Sequence, residues 1–330
     1  MLTDSFGRTL DYLRISVTDR CNLRCYYCMP PEGVAWKPHE TMLSFEEITR
    51  IVSILAGLGI RKAKVTGGEP LVRRGVAAFI KTLKALSMIE KVTLTTNGLL
   101  LGSYLEEAET FPTGSLPDGI NISLNALDPP RYRRITRHEG TGPEVILPLI
   151  DLLLEKNIQV KLNCVPVRSF NEEEIIPLAA LARDKEIAVR FIELMPLGSA
   201  AALQPIPGKE VEAMLEKTFG PLTPFSGLRG NGPAVYYCLP GFRGKIGFIN
   251  AITHGFCGSC NRLRLTSEGF LKLCLSYDLG LDVRALLRSG ASDGELSLAI
   301  TEAVAKKPGF HTFSAVHPET HTVYMSAIGG

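Results

Sequence analysis

Three cysteines within one short run, Cys21-Asn22-Leu23-Arg24-Cys25-Tyr26-Tyr27-Cys28, set the first chemical problem of this chain. An iron–sulfur cluster with four irons normally takes four cysteine thiolates. A loop that offers three leaves one iron open to a ligand that reacts. The alternative is a zinc site, in which a C-x₂₋₄-C pair is completed by a second pair well downstream. No cysteine or histidine follows this loop at a suitable spacing.

The second half of the chain repeats the count with Cys257, Cys260 and Cys274. His254 stands close enough to make Cys₃His zinc the alternative here. After Cys260 the chain reads Asn261-Arg262-Leu263-Arg264-Leu265-Thr266, which puts two arginines beside an open metal position. Guanidinium groups fork onto phosphates. An isolated Arg-x-Arg is equally the mark of a solvated strand edge. The last two of the eight cysteines, Cys164 and Cys238, lie in apolar segments and read as buried small hydrophobes. His311, His317 and His321 lie among Thr, Ser and Pro and read as loop or surface residues.

Composition limits what these sites can serve. With 330 residues and 45% hydrophobic content the chain can bury a sizeable core, and a net charge of +2 argues against a general nucleic-acid binder. Basic residues that matter must be locally concentrated. The start, Met1-Leu2-Thr3-Asp4-Ser5, shows no apolar signal segment, and no run approaches the roughly eighteen apolar residues of a membrane span. A soluble, cytoplasmic protein with no membrane partner is expected. Eight cysteines in such a chain suit metal or redox use better than disulfides.

The elements that must hold these residues alternate. Strands are expected over 12–17, 62–66, 92–96, 120–124, 160–165 and 189–194, each separated by enough chain for a crossover helix. Ser44 and Glu47 form a capping box that opens the first helix, and amphipathic runs follow over 76–86, 144–156, 172–183 and 209–218. The pattern predicts an α/β protein with a parallel sheet, curled as a barrel or open. Strands covered on both faces read as continuous apolar runs, yet here Arg14 and Ser16, Lys64 and Thr66, Thr93 and Thr95, Asn121 and Ser123, and Lys161 and Asn163 alternate with apolar neighbours. A polar, basic inner face implies an incomplete (βα)₆ TIM-like barrel that holds an anionic ligand rather than a packed interior. Beyond it, strands at 235–239 and 245–249 and helices at 283–288 and 295–306 are too irregular to read as an independent unit. They divide the chain into a barrel of residues 1–220 and a cluster-bearing α+β region of 221–330 that closes the open side.

At this point the motifs resemble those of a known family. The Cys21, Cys25 and Cys28 loop after the first strand, with Gly67-Gly68-Glu69-Pro70 after the second, is similar to the signature of the radical S-adenosylmethionine (SAM) enzymes. Thr95-Thr96-Asn97-Gly98, Ser123 and Met195 agree with it. The second cysteine set, the run from Asn261 to Thr266 and the terminal Ile328-Gly329-Gly330 extend the resemblance over essentially the whole chain, to the two-cluster branch that acts on GTP at the start of molybdenum cofactor biosynthesis. One departure is Asn125, where that branch more often has Asp.

The resemblance implies cofactors and roles. Two [4Fe–4S] clusters are expected, one on Cys21, Cys25 and Cys28 and one on Cys257, Cys260 and Cys274, with SAM on the first. Reduction of the first cluster would cleave SAM, hydrogen would leave C3′ of the GTP ribose, and that carbon would bond to C8 of the same guanine. Tyr27, Gly68, Glu69, Ser123 and Met195 are the expected SAM contacts. Arg14, Lys64, Thr95, Lys161, Arg262, Leu263 and Arg264 are the expected substrate contacts, with Arg190 in reserve, and the Gly-Gly tail is expected to reach Arg262 or its neighbours. A reductant protein of flavodoxin or ferredoxin type, a downstream cyclic pyranopterin monophosphate synthase and a homodimer are the implied partners. Competing readings are a radical SAM peptide maturase with an auxiliary cluster and a non-catalytic zinc-binding module.

Overall fold

A computed structural model of the chain describes residues 1–227, 232–313 and 325–329. Six strands, β1 (Tyr12–Ser16), β2 (Lys62–Thr66), β3 (Lys91–Thr96), β4 (Gly119–Ser123), β5 (Gln159–Cys164) and β6 (Ala188–Ile192), pair in parallel and in sequence order. Helices α1 (Phe45–Leu58), α2 (Val76–Ala85), α3 (Leu101–Glu109), α4 (Pro129–Thr136), α5 (Pro143–Glu155) and α6 (Ile175–Asp184) make the crossovers. α7 (Gly208–Phe219) follows the last strand. The expected strands and crossover pattern are therefore present. α3 and α4 were not foreseen.

The remaining strands are β7 (Thr223–Pro224), β8 (Val235–Cys238), β9 (Lys245–Ile249), β10 (Arg262–Leu265), β11 (Phe270–Lys272) and β12 (Gly280–Asp282). All twelve form one sheet in the order β12-β11-β10-β1-β2-β3-β4-β5-β6-β9-β8-β7. It has two edges, so the barrel is incomplete. β10 lies parallel to β1 and β9 parallel to β6, while the outer strands are antiparallel. Residues 221–330 thus add strands to both ends of the six-stranded sheet. The alternative of a solvated edge for Arg262 and Arg264 is overturned, because β10 is enclosed between β1 and β11.

Helices α8 (Val283–Arg288), α9 (Asp293–Ala305) and α10 (Met325–Ile328) complete the chain. The capping box at Ser44 is present, with the Glu47 N–H donating to Ser44 Oγ at 3.1 Å and the Ser44 N–H to Glu47 Oε2 at 2.7 Å. Arg288 donates to the same Glu47 at 2.8 Å, tying α8 to the start of α1.

Strand alternation splits the sheet into two unlike faces. Leu13 and Ile15 register against Ala63 and Val65 on one side and Leu263 and Leu265 on the other, and all belong to one apolar core beneath the helices. Cys164 is buried in that core, as expected, while Cys238 is only half-buried because β8 lies near the sheet's edge. The opposite face carries the polar residues. Because Ile15 is fully buried among its neighbours, Ile15→Ala should lower unfolding stability by about 2–5 kcal/mol. Urea titration followed by circular dichroism checks this, and a loss under about 1 kcal/mol would show that the layer is loosely packed.

Candidate active site

The two cysteine sets lie at opposite ends of the polar face: β1 and β10 run parallel, so the loop leaving β1 stands at the strands' C-terminal end and the loop entering β10 at their N-terminal end. The first is fixed from below by α4. Arg24 N–H donates to the Thr136 carbonyl at 2.9 Å and Tyr26 N–H to the Ile135 carbonyl at 3.1 Å, so the last turn of α4 carries the loop. Tyr26 is buried and stacks on Phe170 with ring centroids 3.7 Å apart, which anchors the segment between Cys25 and Cys28. The three thiols are half-buried and unpaired by any disulfide.

Loops after β2 and β3 lock onto this one. Gly68 N–H donates to the Thr18 carbonyl at 2.7 Å and Glu69 N–H to the Arg20 carbonyl at 2.8 Å. A Cβ on Gly68 would stand 2.4 Å from the Arg20 carbonyl oxygen, so only glycine allows this approach. Glu69 accepts from Thr96 Oγ1 at 2.8 Å, from the Asn97 N–H at 2.6 Å and from the Leu71 N–H at 3.0 Å. Asn97 in turn donates to Asn22 at 2.8 Å, inside the cysteine loop. Burial pushes the Glu69 carboxyl up to about 7, against the pull of those donors.

Burial likewise pushes the Cys21 thiol up to about 11 and raises Cys25, with the neighbouring thiols adding to the shift at Cys25. Metal binding here must displace protons, and the ion's charge is what ionises such thiols. Three soft donors on one strapped loop, with a glycine-lined approach beside them, fit a cluster with one open position.

Tyr27 is half-buried beside them, and its hydroxyl accepts a 2.9 Å bond from the Asn125 amide. The same Asn125 accepts from the Val165 N–H at 2.8 Å. The amide works here as donor and acceptor at once, whereas an ionised Asp could only accept. Ser123 ends β4 opposite Asn163. Met195 packs against the small apolar cluster of Leu197, Phe313 and Ile328.

On the polar face the register sets cations side by side. Arg14 pairs with Arg264 on one flank and Lys64 on the other, and Tyr12 with Arg262. Lys161 lies opposite Asn121, and Arg190 opposite Asn163. Arg190 is braced by Asn163 at 2.9 Å and Asn121 at 2.7 Å. Burial, then the charges of Arg190, Arg14, Lys161 and Arg262, hold the Lys64 ammonium well below its ordinary value. Burial and the nearby Arg14 and Arg262 do the same to Arg264. Among the described residues no carboxylate pairs with Lys64, Arg190, Arg262 or Arg264. Thr95 adds a buried hydroxyl with no partner there. Leu263 points the other way, into the core opposite Leu13, so only its backbone faces this side.

Arg264 also donates to the Gly329 carbonyl at 2.7 Å. Gly329 has φ of +77°, and a Cβ there would meet Thr66 at 2.8 Å. The tail therefore touches the inner face through its backbone. Gly330 lies outside the described residues, as do His317 and His321. His311 is half-buried beside Phe313, with ring centroids 5.1 Å apart.

Around the second cysteine set the charges are again positive. Burial raises the Cys260 thiol, but Lys307, Arg262 and Arg8 outweigh it and leave the group below its ordinary value. Arg8 donates to the Cys257 carbonyl at 2.7 Å while paired with Asp4 at 2.6 Å. Buried Glu193 accepts from Ile252 and Thr253 N–H groups at 2.7 and 3.0 Å, shaping the turn that precedes the set. His254 is exposed, its ring 3.3 Å from the Thr253 hydroxyl. Sequence reasoning missed Arg8, Asn22, Glu193 and Lys307 as site supports. The Asp4–Arg8 spacing and the acidic Glu193 within an apolar strand end were the only signals for two of them.

Residues 15–182 match the family model of the radical SAM superfamily, and residues 187–313 that of Molybdenum Cofactor Synthesis C. The chain is 41% identical to a GTP 3′,8-cyclase of Clostridium perfringens over 329 residues, and 43% identical to one of Moorella thermoacetica over 331 residues, with 100% of both chains covered in each case. Among solved structures it is similar to Streptococcus suis SuiB bound to S-adenosylmethionine, with a TM-score of 0.58, 15% identity, and coverage of 93% of this chain and 77% of that one. That last likeness is one of fold.

The cation cluster opposes folding. Because the folded Lys64 value is depressed, its full penalty is felt below that value and is relieved as pH climbs toward the ordinary 10.5. Lys64→Met should therefore raise the thermal unfolding midpoint at neutral pH, by a margin that narrows in alkaline buffer. A variant no more stable than its parent at pH 7 would remove the repulsion argument.

Proposed function

The chain belongs to the GTP 3′,8-cyclase family of radical SAM enzymes, and we propose that it converts GTP to (8S)-3′,8-cyclo-7,8-dihydroguanosine 5′-triphosphate, the opening step of molybdenum cofactor biosynthesis. The observation that carries the substrate reading is the row Arg264, Arg14 and Lys64 on three adjacent strands of the inner face. A triphosphate of about four negative charges is the kind of ligand that offsets such a row.

Cys21, Cys25 and Cys28 hold the cluster that the radical SAM family implies. When bound, it supplies the electron that breaks SAM and so makes a carbon radical able to take hydrogen from the GTP ribose. The chain's part is placement and exclusion of side reactions. Gly68 opens the approach for the amino group of SAM, and Glu69 orients it. Tyr27, Ser123 and Met195 bound the adenosine side. Arg14, Lys64, Lys161, Arg262 and Arg264 grip the phosphates with Arg190 in reserve, Thr95 offers its hydroxyl, and Leu263 contributes backbone alone. Cys257, Cys260 and Cys274 would hold a second [4Fe–4S] cluster, which would help to bind the guanine.

The electron comes from a reductant protein of flavodoxin or ferredoxin type, the product passes to a cyclic pyranopterin monophosphate synthase, and the enzyme works as a homodimer. Residues 1–220 form the SAM-binding barrel and 221–330 the auxiliary region. No helix among the described residues is long and apolar enough to cross a membrane.

The test is to give the anaerobically reconstituted, reduced chain SAM with GTP or ATP and quantify 5′-deoxyadenosine and the cyclised nucleotide. GTP should yield both and ATP neither; equal deoxyadenosine from GTP and buffer would sink the substrate assignment. Arg264→Ala should cut GTP conversion by at least about 100-fold, as loss of a charge-assisted contact of more than about 2.7 kcal/mol would, while SAM still binds. Undiminished turnover would take Arg264 out of the phosphate cage.

A further inference from the structure

Lys307, just beyond α9, is the most deeply buried cation among the described residues at 2% exposure. Its ammonium donates to the Arg262 carbonyl at 3.0 Å and to the Leu273 carbonyl. These carbonyls belong to the segment leaving Cys260 and to the residue just before Cys274. One side chain thus spans both strands that present the second cysteine set. Arg8 closes the same corner from the N-terminal side, donating to the carbonyls of Cys257 at 2.7 Å, Pro308 at 2.7 Å and Gly309 at 3.2 Å.

The neighbours of Lys307 differ from it in one respect. Arg8 has Asp4 at 2.6 Å, and Lys272, the next most buried lysine, has Asp278 at 2.7 Å. No carboxylate among the described residues pairs with Lys307. Two carbonyl dipoles take two of its three protons but leave a full charge buried without a counter-charge, which is unfavourable. The groups placed to supply negative charge are the Cys260 and Cys274 sulfurs, both close enough to interact with it electrostatically. A four-iron cluster on three thiolates is net negative and gains one more negative charge on reduction.

We propose that Lys307 is a positioning residue of the second cysteine site, at once a strut between its two strands and the fixed counter-charge that stabilises the reduced state of the cluster bound there. The proposal rests on the two-cluster reading given above. A buried cation beside a cluster raises its reduction potential, so removing the charge lowers it.

The experiment is an EPR-monitored redox titration of the reconstituted full-length chain, with iron and sulfide counted in the same samples and the first cluster as internal reference. Lys307→Met should shift the second midpoint to lower potential and leave the first where it was, and Lys307→Arg should keep both near the parent values. If Lys307→Met cannot retain the second cluster but Lys307→Arg can, the need for the charge is equally shown. An unchanged second midpoint in Lys307→Met, equal shifts in both clusters, or loss of the second cluster from Lys307→Arg as well would each overturn the counter-charge role. A parent chain carrying iron and sulfide for one cluster only would instead overturn the two-cluster reading itself, and this inference with it.

Discussion

Like charges held side by side on adjacent parallel strands are the constraint around which this molecule is organised. Strands about 4.8 Å apart place residues in register almost as close as side chains allow, and here the register unites Arg264, Arg14 and Lys64. Among the described residues no carboxylate pairs with Lys64 or Arg264 to offset that repulsion. It is tolerated because the reverse face of the same strands is continuously apolar and covered by helices, so each strand is held from behind while its front is left strained. The incomplete barrel follows from this. A closed barrel of this size fills its interior with side chains, whereas a sheet with two edges leaves the charged face room for a ligand.

The rim is ordered by a different means. No single element positions the first cysteine loop. It is carried by the end of α4, stacked on Phe170 through Tyr26, and cross-braced by Glu69 and Asn97 from the next two loops. Glu69 is the hub of that bracing, since its two oxygens accept three donors in a buried place. That carboxylate ties the loops after β2 and β3 together and Asn97 passes the tie on to the cysteine loop, the sort of support that reactive sites require of the residues around them.

Much of this was legible in the sequence, and the illegible parts share a cause. Alternation of Arg14 with Leu13 and Ile15, or of Lys161 with Val160 and Leu162, announces two unlike faces because a strand has a period of two. The cysteine spacings announce the metal chemistry. Which strands lie next to each other is another matter: no local pattern says that Arg262 to Leu265 pairs with β1, so the arginines were found while their enclosed position was not. α4 escaped notice because Arg131, Arg133 and Arg134 mask its short apolar stripe; Asp128 followed by two prolines, a good helix start, was its only signal. Leu263 was grouped with its charged neighbours by sequence adjacency, yet alternation turns it into the core. Lys307 looks like any lysine after a helix until the fold brings it against residues more than thirty positions away.

The separation between partners also bears on the order in which the molecule is built. The first cysteine loop takes its supports from residues no later than Phe170, all within the sequential βα units. The second depends on Arg8 reaching Cys257 across 249 residues and on β10 joining β1, closures among the longest the chain makes. Contacts of such range form late, because their loop entropy must be met before they contribute. During synthesis from the N-terminus, then, the first cysteine loop can be complete while the second set still lacks its N-terminal and β1 supports, so the two sets are assembled at different moments in the life of the chain.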